Sequence, residues 1–224
     1  MMQQRKSKKI FIYFFFLIIV SSINNLNINS LKFDIVEDVN ISGLSNTHKE
    51  TLIEEIKNLD LESIFFLNGN EINKIIDKNT FIQEYEVFKK YPSSIHIKIQ
   101  KTEFLAKINK NEKTYLVGSN GKLSNSNLSD KNLPYIFGNP NISQFLNLKN
   151  IINKSKFSYN NVENFFFYKS KRWDLELKDD VILKLPEANI KTSLDIAYEF
   201  LKDKKFDKSK IIDLRIKNQI IVND

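Results

Sequence analysis

The sequence predicts an α+β protein: an N-terminal transmembrane helix, a small domain in the order β-α-α-β-β, and a second mixed α/β domain with an antiparallel-rich sheet. Three observations carry this. An unbroken apolar run, Ile10 to Val20, follows the cations Arg5, Lys6, Lys8 and Lys9. In the first half, two stretches of helical period lie between strand-like stretches. In the second half, short alternating runs are separated by turn residues.

The chain of 224 residues has room for an anchor plus one or two small domains. It has no Cys, which excludes disulfides, thiolate metal sites and cysteine nucleophiles. Part of the formal charge of +7 sits in the first nine residues, and the rest is mixed with acids. Lys89-Lys90 and Lys204-Lys205 lie among Asp, Glu and apolar residues. They read as solvated surface, and no nucleic-acid partner is expected.

A membrane helix needs ~20 largely apolar residues, and the run from Ile10 to Val20 is short by that rule. A membrane anchor fits if the helix continues to about Leu31. A secretory signal peptide also fits the basic start, although Val20-Ser21-Ser22 is a poor cleavage site. A buried soluble helix fits worst, because eleven apolar residues in a row have no polar face. The anchor reading makes residues 1–9 a cytoplasmic head and 10–31 the lipid-embedded span. Everything beyond is exported, since basic flanks stay inside.

Asp34 to Ile41 reads as a strand with Ile35, Glu37, Val39 and Ile41 on one face. Ser42-Gly43 is a break. Thr47 to Glu50 has the form of a capping box, followed by Leu52, Ile53, Ile56 and Leu59 on one helical face. Ile53 and Ile56 are expected to be buried against the strand carrying Ile97. Phe65-Phe66-Leu67 is an apolar plug. Asn68-Gly69-Asn70 can cap a second helix with Ile72, Ile75 and Ile76 inward. Strands follow at Ile82 to Phe88 and Ile95 to Ile99, joined by the turn Tyr91 to Ser94. This domain covers 34–103 and the next one 104–224.

In the second domain, Phe104 to Asn109 and Thr114 to Val117 read as a hairpin, and Gly118 to Gly121 as a turn. Leu133 to Gly138 is a short extended segment. Asn139-Pro140 can start a helix with Ile142, Phe145, Leu146 and Ile152 inward. Val162 to Tyr168, Trp173 to Leu177 and Val181 to Leu185 read as strands, the last two joined at Lys178-Asp179-Asp180 and the last stopped by Pro186. Thr192 to Asp195 has the form of a second capping box, before Leu194, Ala197, Tyr198 and Leu201 at helical spacing. Ile211 to Ile216 and Ile220 to Val222 close as a hairpin through Lys217-Asn218.

Several stretches together resemble the FtsQ/DivIB family of bacterial cell division proteins. Val39-Asn40-Ile41-Ser42-Gly43-Leu44 resembles the first strand of that family's POTRA domain. Asn68-Gly69-Asn70, Lys89-Lys90-Tyr91-Pro92 and Ile95-His96-Ile97 resemble its middle and end. Leu133-Pro134 with Gly138, Arg172-Trp173-Asp174-Leu175 with Leu185-Pro186, and Asp213-Leu214-Arg215 resemble stretches of the second domain. The order is co-linear along essentially the whole chain. One departure is Gln100-Lys101-Thr102-Glu103-Phe104, which lacks the Pro that the family usually carries after the last POTRA strand. The chain also stops two residues after Val222.

The resemblance implies an inner-membrane protein, single-pass type II, with its C-terminal domains in the periplasm. It implies a scaffold that links early and late division proteins by contacts with FtsB and FtsL, with further partners possible through the POTRA domain. It also implies that the C-terminal edge captures FtsB, with Ile216 at a contacting position. From the residues themselves, Ile220, Ile221 and Val222 form a final strand that no later strand of the chain can cover, hence an edge open to a partner strand.

Nothing in the sequence reads as a centre for chemistry, and no catalytic, cofactor or metal residue is assigned. His48 and His96 have no zinc-ligand spacing. Asp174 and Glu176 share a strand face and could do acid/base work, but opposite Lys184 they read more simply as paired charges. No phosphate loop, nucleophile elbow or dinucleotide fingerprint is present. A different POTRA-bearing periplasmic assembly protein and a periplasmic hydrolase are the alternatives.

Overall fold

The structure is a computed structural model that describes residues 5–23, 35–59, 61, 64, 67–125, 132–202, 210–217 and 219–223. It divides into two compact units, Met1–Lys78 with Tyr85–Gln100 and Asn79–Glu84 with Lys101–Asp224.

The first unit opens with helix α1, Arg5–Ile23. Every side chain from Ile10 to Val20 is exposed, all round the helix. At 1.5 Å per residue this run covers roughly 16 Å, about half of a ~30 Å hydrocarbon core. Among the described residues, no helix is long and apolar enough to cross a membrane. The expected continuation to Leu31 lies outside the described residues.

The unit continues as β1 (Asp38–Ser42), α2 (Asn46–Lys57), α3 (Gly69–Lys78), β2 (Ile82–Lys90) and β3 (Ser94–Lys101). This is the expected β-α-α-β-β order. The strands lie in the order β1-β3-β2, with β1 parallel to β3 and Ile41 opposite Ile97. Alternation in β3 sends Ile95, Ile97 and Ile99 to one face. They are buried along with Val39, Ile41, Leu52, Ile56, Ile72 and Ile76.

Three local expectations need correction. The first strand begins at Asp38 rather than Asp34, because Ile35 is exposed while Val36 is buried, which breaks the alternation. Leu52 takes the inner position beside Ile56, one helical turn away, and Ile53 is only half-buried. The box at Thr47 does not cap, because α2 already starts at Asn46, after Ser45. The Ser45 hydroxyl meets His48 Nδ1 at 2.9 Å. Asn68 does act as expected, its Oδ1 accepting the Asn70 N–H at 3.1 Å. Phe65 and Phe66 lie outside the described residues. Gly43 has φ +94°, and a Cβ there would sit 1.8 Å from the Ile99 carbonyl oxygen. Only glycine fits that approach.

The second unit is built on a nine-stranded sheet. Its strands are β4 (Phe104–Lys110), β5 (Lys113–Gly118), β6 (Leu123–Ser124), β7 (Tyr135–Phe137), β8 (Val162–Phe167), β9 (Trp173–Leu177), β10 (Ile182–Lys184), β11 (Ile211–Asp213) and β12 (Ile221–Asn223). They lie in the order β12-β11-β10-β9-β8-β7-β4-β5-β6. Helix α4 (Ile142–Asn153) crosses from β7 to its parallel neighbour β8, and α5 (Ile190–Leu201) from β10 to its parallel neighbour β11. Parallel neighbours require such crossovers. Five of the eight neighbouring pairs are antiparallel, so the sheet is mixed and antiparallel-rich. The β4–β5 hairpin closes on Asn111 and Glu112, both at positive φ, the geometry of a tight primed turn.

The register aligns two rows across this sheet. One runs Ile136–Phe165–Leu175–Leu183–Ile212–Val222. Its first five members are buried in one core with Phe145, Leu148 and Ile152 of α4 and Leu194 and Ala197 of α5. Trp173 joins this core, as its parity with Leu175 requires. The other row runs Phe137–Phe166–Asp174–Lys184–Asp213–Ile221 on the opposite face. Gly138 has φ +92°, and a Cβ there would lie 2.3 Å from the Phe167 carbonyl oxygen.

The helix starts differ from those expected. α4 begins at Ile142, after Asn141, whose N–H donates to Gln144 Oε1 at 2.8 Å, so Pro140 stays outside the helix. α5 begins at Ile190, after Asn189 at φ 59°, which places Thr192 inside the first turn. Leu148 is buried in α4, whereas Ile142 and Leu146 are partly buried. The final hairpin forms, but β11 ends at Asp213 and β12 begins at Ile221. Ile216 and Ile220 therefore lie in a connection rather than in strands, and Asn218 is outside the described residues.

Candidate functional site at the last strand

β12 forms one end of the nine-stranded sheet. It pairs antiparallel with β11, setting Asn223, Val222 and Ile221 against Ile211, Ile212 and Asp213. Among the described residues no strand lies on its other side. Three isoleucines are exposed here, Ile216 at 50%, Ile220 at 39% and Ile221 at 44%, while Val222 is half-buried. All four expected contact residues thus lie together at one end of the sheet.

Residues 214–217, 219 and 220, with Pro186, Ala188, Asn189 and the first half of α5, line a groove of about 440 Å³. Its walls include Ser193, Ile196, Leu214, Ile216, Lys217 and Ile220. Ile196 was not among the residues expected here. The sequence signal was present, because Ile196 is an apolar residue off the Leu194–Ala197–Tyr198–Leu201 stripe, and it is exposed on the surface of α5.

On the face away from the helices the strand ends carry charge. Asp213 holds Arg215 through Nε at 2.8 and 2.9 Å and through Nη2. The hydrogen bond from Arg215 lowers the Asp213 pKa and outweighs desolvation. Asp174 is 3% exposed, and burial raises its pKa against the pull of Arg172, Tyr168, Lys184 and Arg215. Arg172 Nε lies 3.5 Å from Asp174 Oδ1, and its guanidinium stacks over Tyr168. Glu176 shares the face but accepts from Asn164 Nδ2 at 2.7 Å. The two carboxylates are thus engaged with separate partners, and the groove includes neither. Ser42 Oγ lies 3.4 Å from His96 Nε2, and His48 sits on Ser45. Among the described residues, no group of three or more His, Cys, Asp or Glu could hold a metal ion.

The described residues form a β-α-α-β-β unit and a mixed sheet whose last strand has no described neighbour on its outer side, which defines a two-unit α+β protein. Residues 35–101 match the family described as POTRA domain, FtsQ-type, and residues 106–215 match that described as Cell division protein FtsQ/DivIB, C-terminal. The chain is 28% identical over 190 residues to Cell division protein FtsQ of Rickettsia bellii, across 84% of this chain and 71% of that protein. It is 28% identical over 197 residues to the protein of the same description from Rickettsia typhi, with the same two coverages. It is 27% identical over 101 residues to Cell division protein DivIB of Clostridium tetani, across 45% of this chain and 38% of that protein. The chain belongs to the FtsQ/DivIB family of cell division proteins. The second family match ends at Arg215, so β12 lies beyond it.

Proposed function

We propose that this chain is a bitopic inner-membrane scaffold of the division machinery, without catalytic activity, linking early and late division proteins from the periplasmic side. Residues 1–9 form its cytoplasmic head and 10–31 its anchor. Its partners are proteins resembling FtsB and FtsL, bound through Ile216, Ile220, Ile221 and Val222. The observation that carries this reading is that, among the described residues, no strand lies on the outer side of β12, beside which Ile216, Ile220 and Ile221 are exposed. An unpaired edge offers backbone donors and acceptors to an incoming strand, and apolar side chains beside it supply the area that makes the contact stable. The anchor rests on Ile10 to Val20, apolar and exposed on every side of α1. Such a surface is disfavoured in water and suited to lipid.

Two experiments test this. A variant truncated before Gln219 remains folded and loses at least ~100-fold in affinity for the cell's own FtsB-like protein, about 2.7 kcal/mol. Full affinity in the truncated protein overturns the edge assignment. A periplasm-only reporter fused after Asp224 is active, whereas an active cytoplasmic reporter at that position overturns the topology.

A further inference from the structure

The chain enters the β-α-α-β-β unit beside the tip of its hairpin. β1 runs parallel to β3, with Asp38 opposite Ser94. The Glu37 N–H donates to the Ser93 carbonyl at 2.9 Å. The start of β1 and the turn between β2 and β3 therefore lie at one end of the unit. Three large side chains are exposed around that end, Ile35 at 63%, Phe88 at 49% and Tyr91 at 60%. Val36 and Ser93 beside them are buried, which ties this stretch of backbone into the unit. Lys89 Nζ donates to the Leu67 carbonyl at 3.2 Å, and Lys90 is exposed. Apolar residues exposed singly are ordinary, but a group of them at one end marks a contact surface.

We infer that this end of the unit rests in the headgroup layer of the bilayer that holds the anchor. The inference rests on the anchor reading above and deepens it. With an anchor ending at Leu31, four peptide steps lead to Ile35, a reach of at most about 14 Å. The headgroup layer on each side of a bilayer is roughly 5–8 Å deep, so Ile35 is held within reach of it. β1 then carries the chain roughly 13 Å from Asp38 to Ser42, and α2 starts at the far end. The side chains at the near end suit that layer. Aromatic rings settle at the level of the headgroups, and a lysine lays its stem on apolar surface while its ammonium stays in water. Glu37 and Asp38, both exposed at this end, offset Lys89 and Lys90 in charge. Ile35, Phe88 and Tyr91 therefore drive the contact, and it does not require anionic lipid.

The chain has no cysteine, so Lys90→Cys and Thr47→Cys, both at exposed positions, can each carry a single fluorophore. The full labelled chain is reconstituted into phosphatidylcholine vesicles that contain a nitroxide quencher at headgroup level. A label held at interfacial depth, ~5–10 Å into the boundary, is quenched at least ~3-fold more at position 90 than at position 47. Adding phosphatidylglycerol leaves that ratio unchanged. The Phe88→Gln, Tyr91→Gln double variant at least halves the difference. Ile35→Gln, outside every helix and strand, acts in the same direction without altering the hairpin. Equal quenching at 90 and 47, a difference that appears only with phosphatidylglycerol, or one that Ile35→Gln and the double variant both leave intact overturns the contact. If alkaline carbonate strips the chain from the vesicles, the anchor reading has failed and the contact with it. If the chain stays attached and the two labels are quenched alike, only the contact has failed.

Discussion

At one end of the nine-stranded sheet β6 contributes two residues, half-buried Leu123 and buried Ser124. The Thr80 hydroxyl donates to Ser124 Oγ at 3.1 Å. At the other end β12 contributes three residues, none fully buried, next to Ile216 and Ile220, which are exposed as well. Both ends are short, which is one way a sheet limits unwanted pairing. They differ in what surrounds them. β6 presents a side chain already engaged within its own unit. β12 presents apolar surface and a groove. That difference supports the proposal that β12 is the end that associates with a partner.

The largest effect is expected where both ends share their support. Phe165 is fully buried in the central row, in contact with the rings of Phe145, Tyr159 and Trp173. Phe165→Ala should cost about 3–5 kcal/mol in denaturant unfolding. A loss below about 1 kcal/mol would mean that the two ends do not depend on one core. Next is the apolar surface at β12. The Ile216→Asp, Ile220→Asp double variant should lose ~10–100-fold in partner affinity, while stability changes by under about 1 kcal/mol because both positions are exposed. At the opposite end, Leu123→Lys should leave partner affinity within about twofold in titration calorimetry and cost about 1 kcal/mol of stability. A comparable loss of affinity from Leu123→Lys would erase the distinction between the ends.

The smallest effect concerns the two acids of the charged row. Asp213 sits below the ordinary value of 3.8 because Arg215 bonds to it, and Asp174 sits above it because it is buried. The Asp213 contribution is present above 3.8 and is lost as pH falls through its lowered pKa. Asp174 acts in the other direction. The folded state holds its proton more tightly, so stability falls as pH rises from 3.8 through the raised value, and is level above it. Carboxyl carbon shifts followed by NMR should titrate Asp174 above 3.8 and Asp213 below it. The reverse order would mean that Arg172 and Lys184, rather than burial, control Asp174.

Strands with strict alternation were legible in the sequence. β9 has the expected bounds, Trp173 to Leu177, and β3 carries the expected Ile95, Ile97 and Ile99, because a two-residue period has one solution when one face is buried. Helix starts were less legible. Thr47 and Thr192 both begin formally correct boxes, but the chain enters the helix earlier, after Ser45 and after a left-handed Asn189. The box pattern does not weigh such competing entries. The parallel pairings of β7 with β8 and β10 with β11 depend on how α4 and α5 cross, which local patterns do not encode. The C-terminal residues were legible as apolar and last in order. The place of Ile216 and Ile220 in the connection was not, because the strand ends are set by the pairing of 211–213 with 221–223.

The most direct test is amide hydrogen exchange at residues 219–223 of the full chain, with and without the FtsB-like partner. In the free protein at least one amide of β12 should exchange rapidly, because an edge strand leaves alternate N–H groups unpaired. On binding, that amide should become protected, with no comparable change at Leu123 and Ser124 of β6. β12 amides that exchange equally fast in both states, with new protection appearing elsewhere, would contradict the proposal that β12 receives the partner.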